Sequence, residues 1–286
     1  MKKIAVLPTL LTLGNGICGF AAIAYASKIL PPPLSTVAAN ELNFAWAGWF
    51  ILFAMVFDML DGYVARLSKT ASDFGGELDS LCDVVSFGVT PAFLLLKLGP
   101  GWNNPPMHQL LAGIAALYFS CTALRLARFN VENNPDASSH KRFRGLPSPG
   151  AAGCIAALAI VRGELPTALA SLRFTTIPIA TAQAMTEQAV EILAPFGALL
   201  VALLMVSNVP YPHVTSKIFR GRRHVGHVIQ VLLVGFILVM FHSLAPLLVF
   251  WGYAFYFPLR WLLLRNLRAE PGPDAAPIDE HVPHKL

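Results

Sequence analysis

Long apolar segments are the feature that most restricts what this chain can fold into. They lie at roughly residues 10–30, 43–66, 79–98, 107–128, 148–162, 189–209, 225–243 and 245–264. Proline, glycine and asparagine clusters separate them, and all but the fifth approach the about 20 apolar residues that a helix needs to cross a membrane. The sequence therefore predicts an all-α, polytopic transmembrane bundle of about eight spans, with six as the lower bound.

The charge content supports a lipid environment. Only 13% of the 286 residues are charged, whereas a soluble domain carries about 25%. The net charge of +5 lies in short loops, which favours anionic lipid headgroups as partners and excludes a nucleic-acid surface. One membrane domain is expected over residues 1–268, followed by a disordered cytoplasmic tail at 269–286.

The positions of the basic residues predict the orientation. With the N-terminus in the cytoplasm and eight spans, 17 of the 21 lysines and arginines fall on the cytoplasmic side. Both termini are then cytoplasmic, as in a multi-pass protein of the inner membrane. The alternative is a cleaved secretory signal, because Lys2 and Lys3 precede an apolar run that ends in Ala24-Tyr25-Ala26. The length of the run and its interior Thr12 and Asn15 favour a retained span.

Four aspartates stand where a membrane helix tolerates them badly, at about 2.5–3.5 kcal/mol each. Asp58 and Asp61 are three residues apart near the end of the second span, and Asp79 and Asp83 are four apart at the start of the third. Each spacing places both carboxylates on one helical face. Such a group needs cations, and oxygen ligands suit Mg²⁺ or Mn²⁺ together with a substrate phosphate. The alternative is a set of helix-end carboxylates that reach the interface.

The same residues form a longer pattern, Asp58-x-x-Asp61-Gly62-x-x-Ala65-Arg66, eight residues, then Gly75-x-x-x-Asp79-x-x-x-Asp83. It resembles the signature of the CDP-alcohol phosphatidyltransferase family. The resemblance implies two metal ions, one held by Asp58, Asp61 and Asp79, and the second held or flanked by Asp58, Asp79 and Asp83. It also implies that Asp83 is the base that deprotonates the acceptor alcohol. The residues expected to bind the CDP-lipid are Asp61, Gly62, Ala65, Arg66, Ser72 and Gly75.

Further stretches resemble the phosphatidylserine synthase branch of that family, at residues 12–16, 77–80, 83–89, 123–130 and 145–149. The resemblance implies transfer of a phosphatidyl group from CDP-diacylglycerol to L-serine, and a homodimer. Serine carries a carboxylate, for which Arg125 and Arg128 are the expected cations, although positive-inside anchoring also produces arginines there. Thr12 and Asn15 are expected to reach polar substrate atoms or, alternatively, to join helices by hydrogen bonds.

Two other functions remain open at this point. The same chemistry is possible with glycerol 3-phosphate, inositol phosphate or choline as the acceptor. Intramembrane carboxylates also mark cation or proton transporters. Here the aspartates lie towards one side of the membrane and no polar relay crosses to the other, which favours an enzyme. Small residues at 150–153 permit close helix packing within or between subunits.

Overall fold

The computed structural model describes residues 6–31, 34–68, 73–100, 104–132, 145–171, 178–211 and 242–269, and its regular elements in these ranges are helices. They are α1 (Val6–Ser27), α2 (Val37–Ser68), α3 (Asp73–Asp83), a π-helix (Val84–Val89), α4 (Thr90–Leu98), α5 (Pro105–Glu132), α6 (Ser148–Ser171), α7 (Ile179–Val206) and α8 (Ala245–Ala269). The all-α prediction is confirmed.

Among the described residues, six helical segments are long and apolar enough to cross a membrane. They are Val6–Ser27, Val37–Ser68, Phe74–Leu98, Pro105–Val131, Ser148–Ser171 and Ile179–Val206. The described part of the chain therefore has the helices of a multi-pass membrane protein, and their number lies within the predicted range of six to eight. The predicted span at 245–264 corresponds to α8, whereas the predicted span at 225–243 and the tail at 269–286 lie almost wholly outside the described residues.

The predicted end of the fifth span was wrong. The sequence placed it at residue 162, but α6 continues to Ser171. Arg162, at the predicted end, and Glu164, just beyond it, each have a partner from another helix. Arg162 forms an ion pair with Glu187 of α7, and Glu164 accepts a hydrogen bond from the Trp49 indole of α2 at 2.7 Å. Because both side chains are paired, they are accommodated in the interior of α6, which continues to Ser171.

Helix α6 is the centre of the bundle, and every residue from 150 to 163 in it is buried. Small side chains allow its neighbours to approach closely. A Cβ atom on Gly48 of α2 would lie 2.7 Å from the carbonyl oxygen of Ala156, and one on Gly163 would lie 2.7 Å from the amide nitrogen of Ala45. Gly153 faces the Phe250 ring of α8. The small residues at 150–153 thus pack against a helix of the same chain, as one of the two sequence-based alternatives expected.

Candidate active site

Helices α2 and α3 bring three of the four aspartates together. One carboxylate oxygen from each of Asp58, Asp61 and Asp79 lies within 4.8 Å of the other two. On α2 the spacing of three residues turns both carboxylates towards α3, as the helical period requires. Asp83 does not belong to this group of three.

Two carboxylate oxygens in the group have no hydrogen-bond donor. Asp61 Oδ2 and Asp79 Oδ1 are both buried and unpartnered. The ion pairs found among the described residues do not involve these carboxylates either. A buried carboxylate oxygen without a donor is costly, and three such groups close together repel one another. The arrangement fits a hard divalent cation, for which carboxylate oxygens are suitable ligands.

Asp83 is held separately, by α1. Its Oδ1 accepts a hydrogen bond of 2.9 Å from Nδ2 of Asn15, a residue with no exposed surface. Asn15 Oδ1 is buried and has no partner. Asn15 thus makes the contact between helices that was one of its two expected roles, and this contact orients the carboxylate expected to be the base. Thr12 is buried one turn earlier, and its hydroxyl donates to the Pro8 carbonyl at 3.0 Å.

The π-helix after Asp83 was not predicted from the sequence. Here the Ser86 hydroxyl donates to the Asn15 carbonyl at 3.0 Å, and the Thr90 hydroxyl donates to the Gly19 carbonyl at 3.1 Å. Gly19 permits this approach, because a Cβ atom there would lie 2.8 Å from Ser86 Cα. These bonds fix α1 against the chain that carries Asp83. The available signal was the equal spacing of Ser86 and Thr90 on one helix and of Asn15 and Gly19 on the other.

The residues expected to bind the CDP-lipid, where the structure describes them, lie on the last turns of α2 and in α3. Arg66 is exposed, and its guanidinium lies over Gly62, where a Cβ atom would be 3.4 Å from Nη1. Ala65 and Gly75 are partly buried. Ser72 lies outside the described residues. Asp61, which the pattern shares between metal and lipid, is 5% exposed.

Arg125 and Arg128 lie at the end of α5 and not within the aspartate group. Arg125 Nε donates to the Leu146 carbonyl at 2.5 Å, so this side chain supports the segment before α6. Arg128 is exposed. Sequence reasoning missed Tyr253 of α8, whose hydroxyl is buried without a hydrogen-bond partner.

Comparisons with known proteins agree with the geometry. A family model for CDP-alcohol phosphatidyltransferase matches residues 5–186. Curated proteins named CDP-diacylglycerol--serine O-phosphatidyltransferase are similar to the chain. The protein from Helicobacter pylori (strain ATCC 700392 / 26695) is 31% identical over 87% of this chain and 94% of its own length. The protein from Methanocaldococcus jannaschii is 38% identical over 77% of this chain and 80% of its own length. The protein from Bacillus subtilis (strain 168) is 31% identical over 72% of this chain and 90% of its own length.

The family match covers α1 to α6, which include all four aspartates, Asn15 and the π-helix. It therefore spans more than half of the chain and the whole of the group of carboxylates described above. The relatives from bacteria and an archaeon are similar to the chain over 87%, 77% and 72% of its length. The chain belongs to the CDP-alcohol phosphatidyltransferase family.

Proposed function

We propose that this protein transfers the phosphatidyl group of CDP-diacylglycerol to L-serine and releases phosphatidylserine and CMP. The observation that carries the proposal is the group of carboxylates of Asp58, Asp61 and Asp79 within 4.8 Å of one another, with unpartnered buried oxygens. Such a group matches a diphosphate substrate that arrives with divalent cations. The choice of serine is supported by the names of the similar proteins in Helicobacter pylori, Methanocaldococcus jannaschii and Bacillus subtilis.

Asp58, Asp61 and Asp79 would hold the first Mg²⁺ or Mn²⁺ ion, and Asp58, Asp79 and Asp83 would hold or flank the second. When bound, these ions supply positive charge to the diphosphate and to the departing CMP. Asp61 Oδ2 and Asp79 Oδ1 are the atoms that most need such a partner, since they are buried and accept no hydrogen bond. Gly62, Ala65, Arg66, Ser72 and Gly75 would bind the CDP-lipid beside them.

The chemical step needs a base for the serine hydroxyl, and Asp83 is the proposed one. The serine oxygen forms a bond to the phosphorus on the lipid side of the diphosphate. The bond from that phosphorus to the oxygen bridging it to CMP breaks, and the hydroxyl proton passes to Asp83. General-base help of this kind contributes about 10² to 10⁴-fold to a rate. The hydrogen bond from Asn15 leaves the second oxygen of Asp83 to take the proton.

The acceptor pocket is proposed between Asp83 and the end of α5. Arg125 and Arg128 would attract the serine carboxylate, and the bond that Arg125 donates to the Leu146 carbonyl uses Nε and not the Nη groups. The alternative acceptors lack this carboxylate and differ in charge, so they test the pocket. The domain would span residues 1–268, with the aspartates and both termini in the cytoplasm, in a homodimer of the inner membrane.

The test uses the purified protein in detergent with CDP-diacylglycerol and Mg²⁺ or Mn²⁺. CMP release and the phospholipid product are followed with serine, glycerol 3-phosphate, inositol phosphate and choline as acceptors. We expect serine-dependent release that a chelator stops and added divalent cation restores. CMP release with another acceptor would be consistent with the metal-dependent transfer and would refute the proposed serine pocket. If the folded protein released no CMP with any acceptor, the proposed transferase activity would be refuted and the alternative of a cation or proton transporter would be favoured.

Replacement of Asp83 tests the assigned base. Asp83→Asn is expected to lower turnover by at least about 10²-fold while CDP-lipid binding remains measurable. Asp274→Asn, a matched change far along the chain from the signature, is the control and is expected to leave both unchanged. Turnover of Asp83→Asn close to that of the control would remove Asp83 from the role of base.

A further inference from the structure

A second group of polar side chains, two of them buried, lies at the other end of the bundle from the aspartates. We call it the distal polar cluster, and it consists of Glu41 on α2, Arg162 on α6, and Gln183 and Glu187 on α7. Glu41 precedes Asp58 by 17 residues on the same helix, which separates them by about 26 Å along its axis. The hydrocarbon layer is about 30 Å thick. The distal polar cluster thus lies near the opposite boundary of that layer, and the proposed reaction does not use it.

The bonds within the distal polar cluster leave one atom of each of two charged groups without a hydrogen-bond partner. Gln183 Nε2 donates to Glu41 Oε2 at 3.3 Å, and Arg162 pairs with Glu187 through Nη2. The Phe44 ring covers the guanidinium, with Arg162 Cζ 5.5 Å from its centroid. Glu41 Oε1 and Arg162 Nη1 remain buried without a hydrogen-bond partner. Both residues are more than nine-tenths buried, at 5% and 8% exposure.

These two atoms are an acceptor on an anion and a donor on a cation, yet they do not pair. No ion pair within 4.0 Å joins Glu41 to Arg162 in the part of the chain that the structure describes. Leaving two such atoms unpaired at low dielectric is costly, so a purely structural network is expected to bring them together. A ligand that supplies one donor cation and one acceptor anion satisfies both atoms at once.

The charge of the surroundings narrows the ligand class. Glu41, Glu187 and the nearby Glu191 outnumber Arg162, so a simple anion is repelled. The guanidinium, in turn, opposes a bare metal cation at the same place. A zwitterion with a primary ammonium and a phosphate is neither a simple anion nor a bare cation. Its ammonium offers three N–H donors to a carboxylate, and its phosphate accepts from arginine. The side chain of Glu187 is 46% exposed, so the cluster extends to the surface of the bundle at α7.

We propose that the distal polar cluster binds the headgroup of a membrane phospholipid that carries a primary ammonium and a phosphodiester, as phosphatidylethanolamine does. The ammonium donates to Glu41 Oε1, and a phosphate oxygen accepts from Arg162 Nη1. The depth of the cluster matches the headgroup level of the leaflet opposite the aspartates. This site is independent of the proposed transferase activity.

The test compares lipids with identical acyl chains by native mass spectrometry of the delipidated full-length protein. Phosphatidylcholine keeps the positive charge but has no N–H donor, and phosphatidylglycerol keeps the phosphate alone. We expect phosphatidylethanolamine to bind at least about tenfold more tightly than either. Glu41→Gln and Arg162→Met are each expected to abolish that preference. Glu164→Gln is the matched control, since its carboxylate contacts Trp49 at the same end of the bundle and not the cluster.

Equal affinity of the wild-type protein for phosphatidylethanolamine and phosphatidylcholine would overturn the proposal, and this comparison does not depend on any variant folding. A preference retained by Glu41→Gln would overturn it as well. Soluble phosphoethanolamine is the third arm, because it shares the headgroup chemistry. If it bound as tightly as the lipid, the cluster would be a site for a small solute and the lipid assignment would be wrong.

Discussion

The hydrogen bond from Asn15 to Asp83 gives the sharpest test of how this site works. Replacing Asn15 with leucine removes the only donor that the described residues offer to Asp83 Oδ1 while nearly preserving the side-chain shape. A hydrogen bond to a charged group contributes about 1.5–3 kcal/mol. At 1.36 kcal/mol per tenfold in rate, its loss lowers kcat by about 10 to 150-fold if the bond orients the base in the transition state. Outer partners of metal-site ligands show effects of similar size.

The assay is steady-state CMP release at saturating Mg²⁺, with kcat and the KM of each substrate measured separately. We expect kcat to fall while the KM for CDP-diacylglycerol stays within about twofold, because Asn15 does not belong to the group of three aspartates. Ser86→Ala is the control, since the Ser86 hydroxyl donates to the Asn15 carbonyl and joins α1 to the π-helix without touching Asp83. That change is expected to cost about 1 kcal/mol of stability and little activity.

Two results would refute this reasoning. If Asn15→Leu lowers kcat no more than Ser86→Ala does, the bond serves helix packing alone. If the KM for serine rises and kcat does not change, Asn15 binds the acceptor through its unpartnered Oδ1, which is the other role that the sequence suggested. Asn15→Ala, which removes the same donor with less steric risk, serves as a second variant if the leucine variant does not fold.

Two further predictions concern the packing of the bundle, and both are measured as denaturation in detergent. Gly163→Ala places a Cβ atom 2.7 Å from the Ala45 amide nitrogen and is expected to lower the free energy of unfolding by about 1–3 kcal/mol. The control is Gly113→Ala, because a Cβ atom on Gly113 meets no neighbouring atom within 4 Å in the part of the chain that the structure describes. Equal stability of the two variants would contradict the close crossing of α2 and α6. Gly145→Ala is expected to cost at least about 1–2 kcal/mol, because Gly145 has a φ of +91° and lies against Met205; unchanged stability would contradict that backbone conformation.

The helices and the aspartate group were predictable because their signals are local. A run of about 20 apolar residues indicates a membrane helix wherever it occurs, and spacings of three and four residues place side chains on one face. Only the proximity of α2 and α3 had to be added, and the short connection between Ser68 and Asp73 favours it. For this reason Asp58, Asp61 and Asp79 were recognisable from their positions alone.

The features that were missed depend on partners far away in the chain. Arg162 looked like the end of a span because its partner Glu187 lies 25 residues later on α7. Arg125 was expected to bind the serine carboxylate, and the hydrogen bond that its Nε donates to the Leu146 carbonyl was not predicted. No local signal predicts such pairings, since an arginine at a helix end is equally suited to water, lipid, substrate or a neighbouring carbonyl.

The π-helix is the clearest case, and it connects the fold to the site. An α-helix advances 100° per residue, so one extra residue in a turn rotates everything beyond it by about that angle. In this chain Ser86 and Thr90 both donate to α1, while the Tyr118 hydroxyl of α5 donates to the Phe87 carbonyl at 3.0 Å. The partners on α1 and α5 compensate the irregular backbone. Since Asp83 is the residue just before this segment, the packing of the π-helix fixes the backbone that follows the proposed base, while the bond from Asn15 orients its carboxylate.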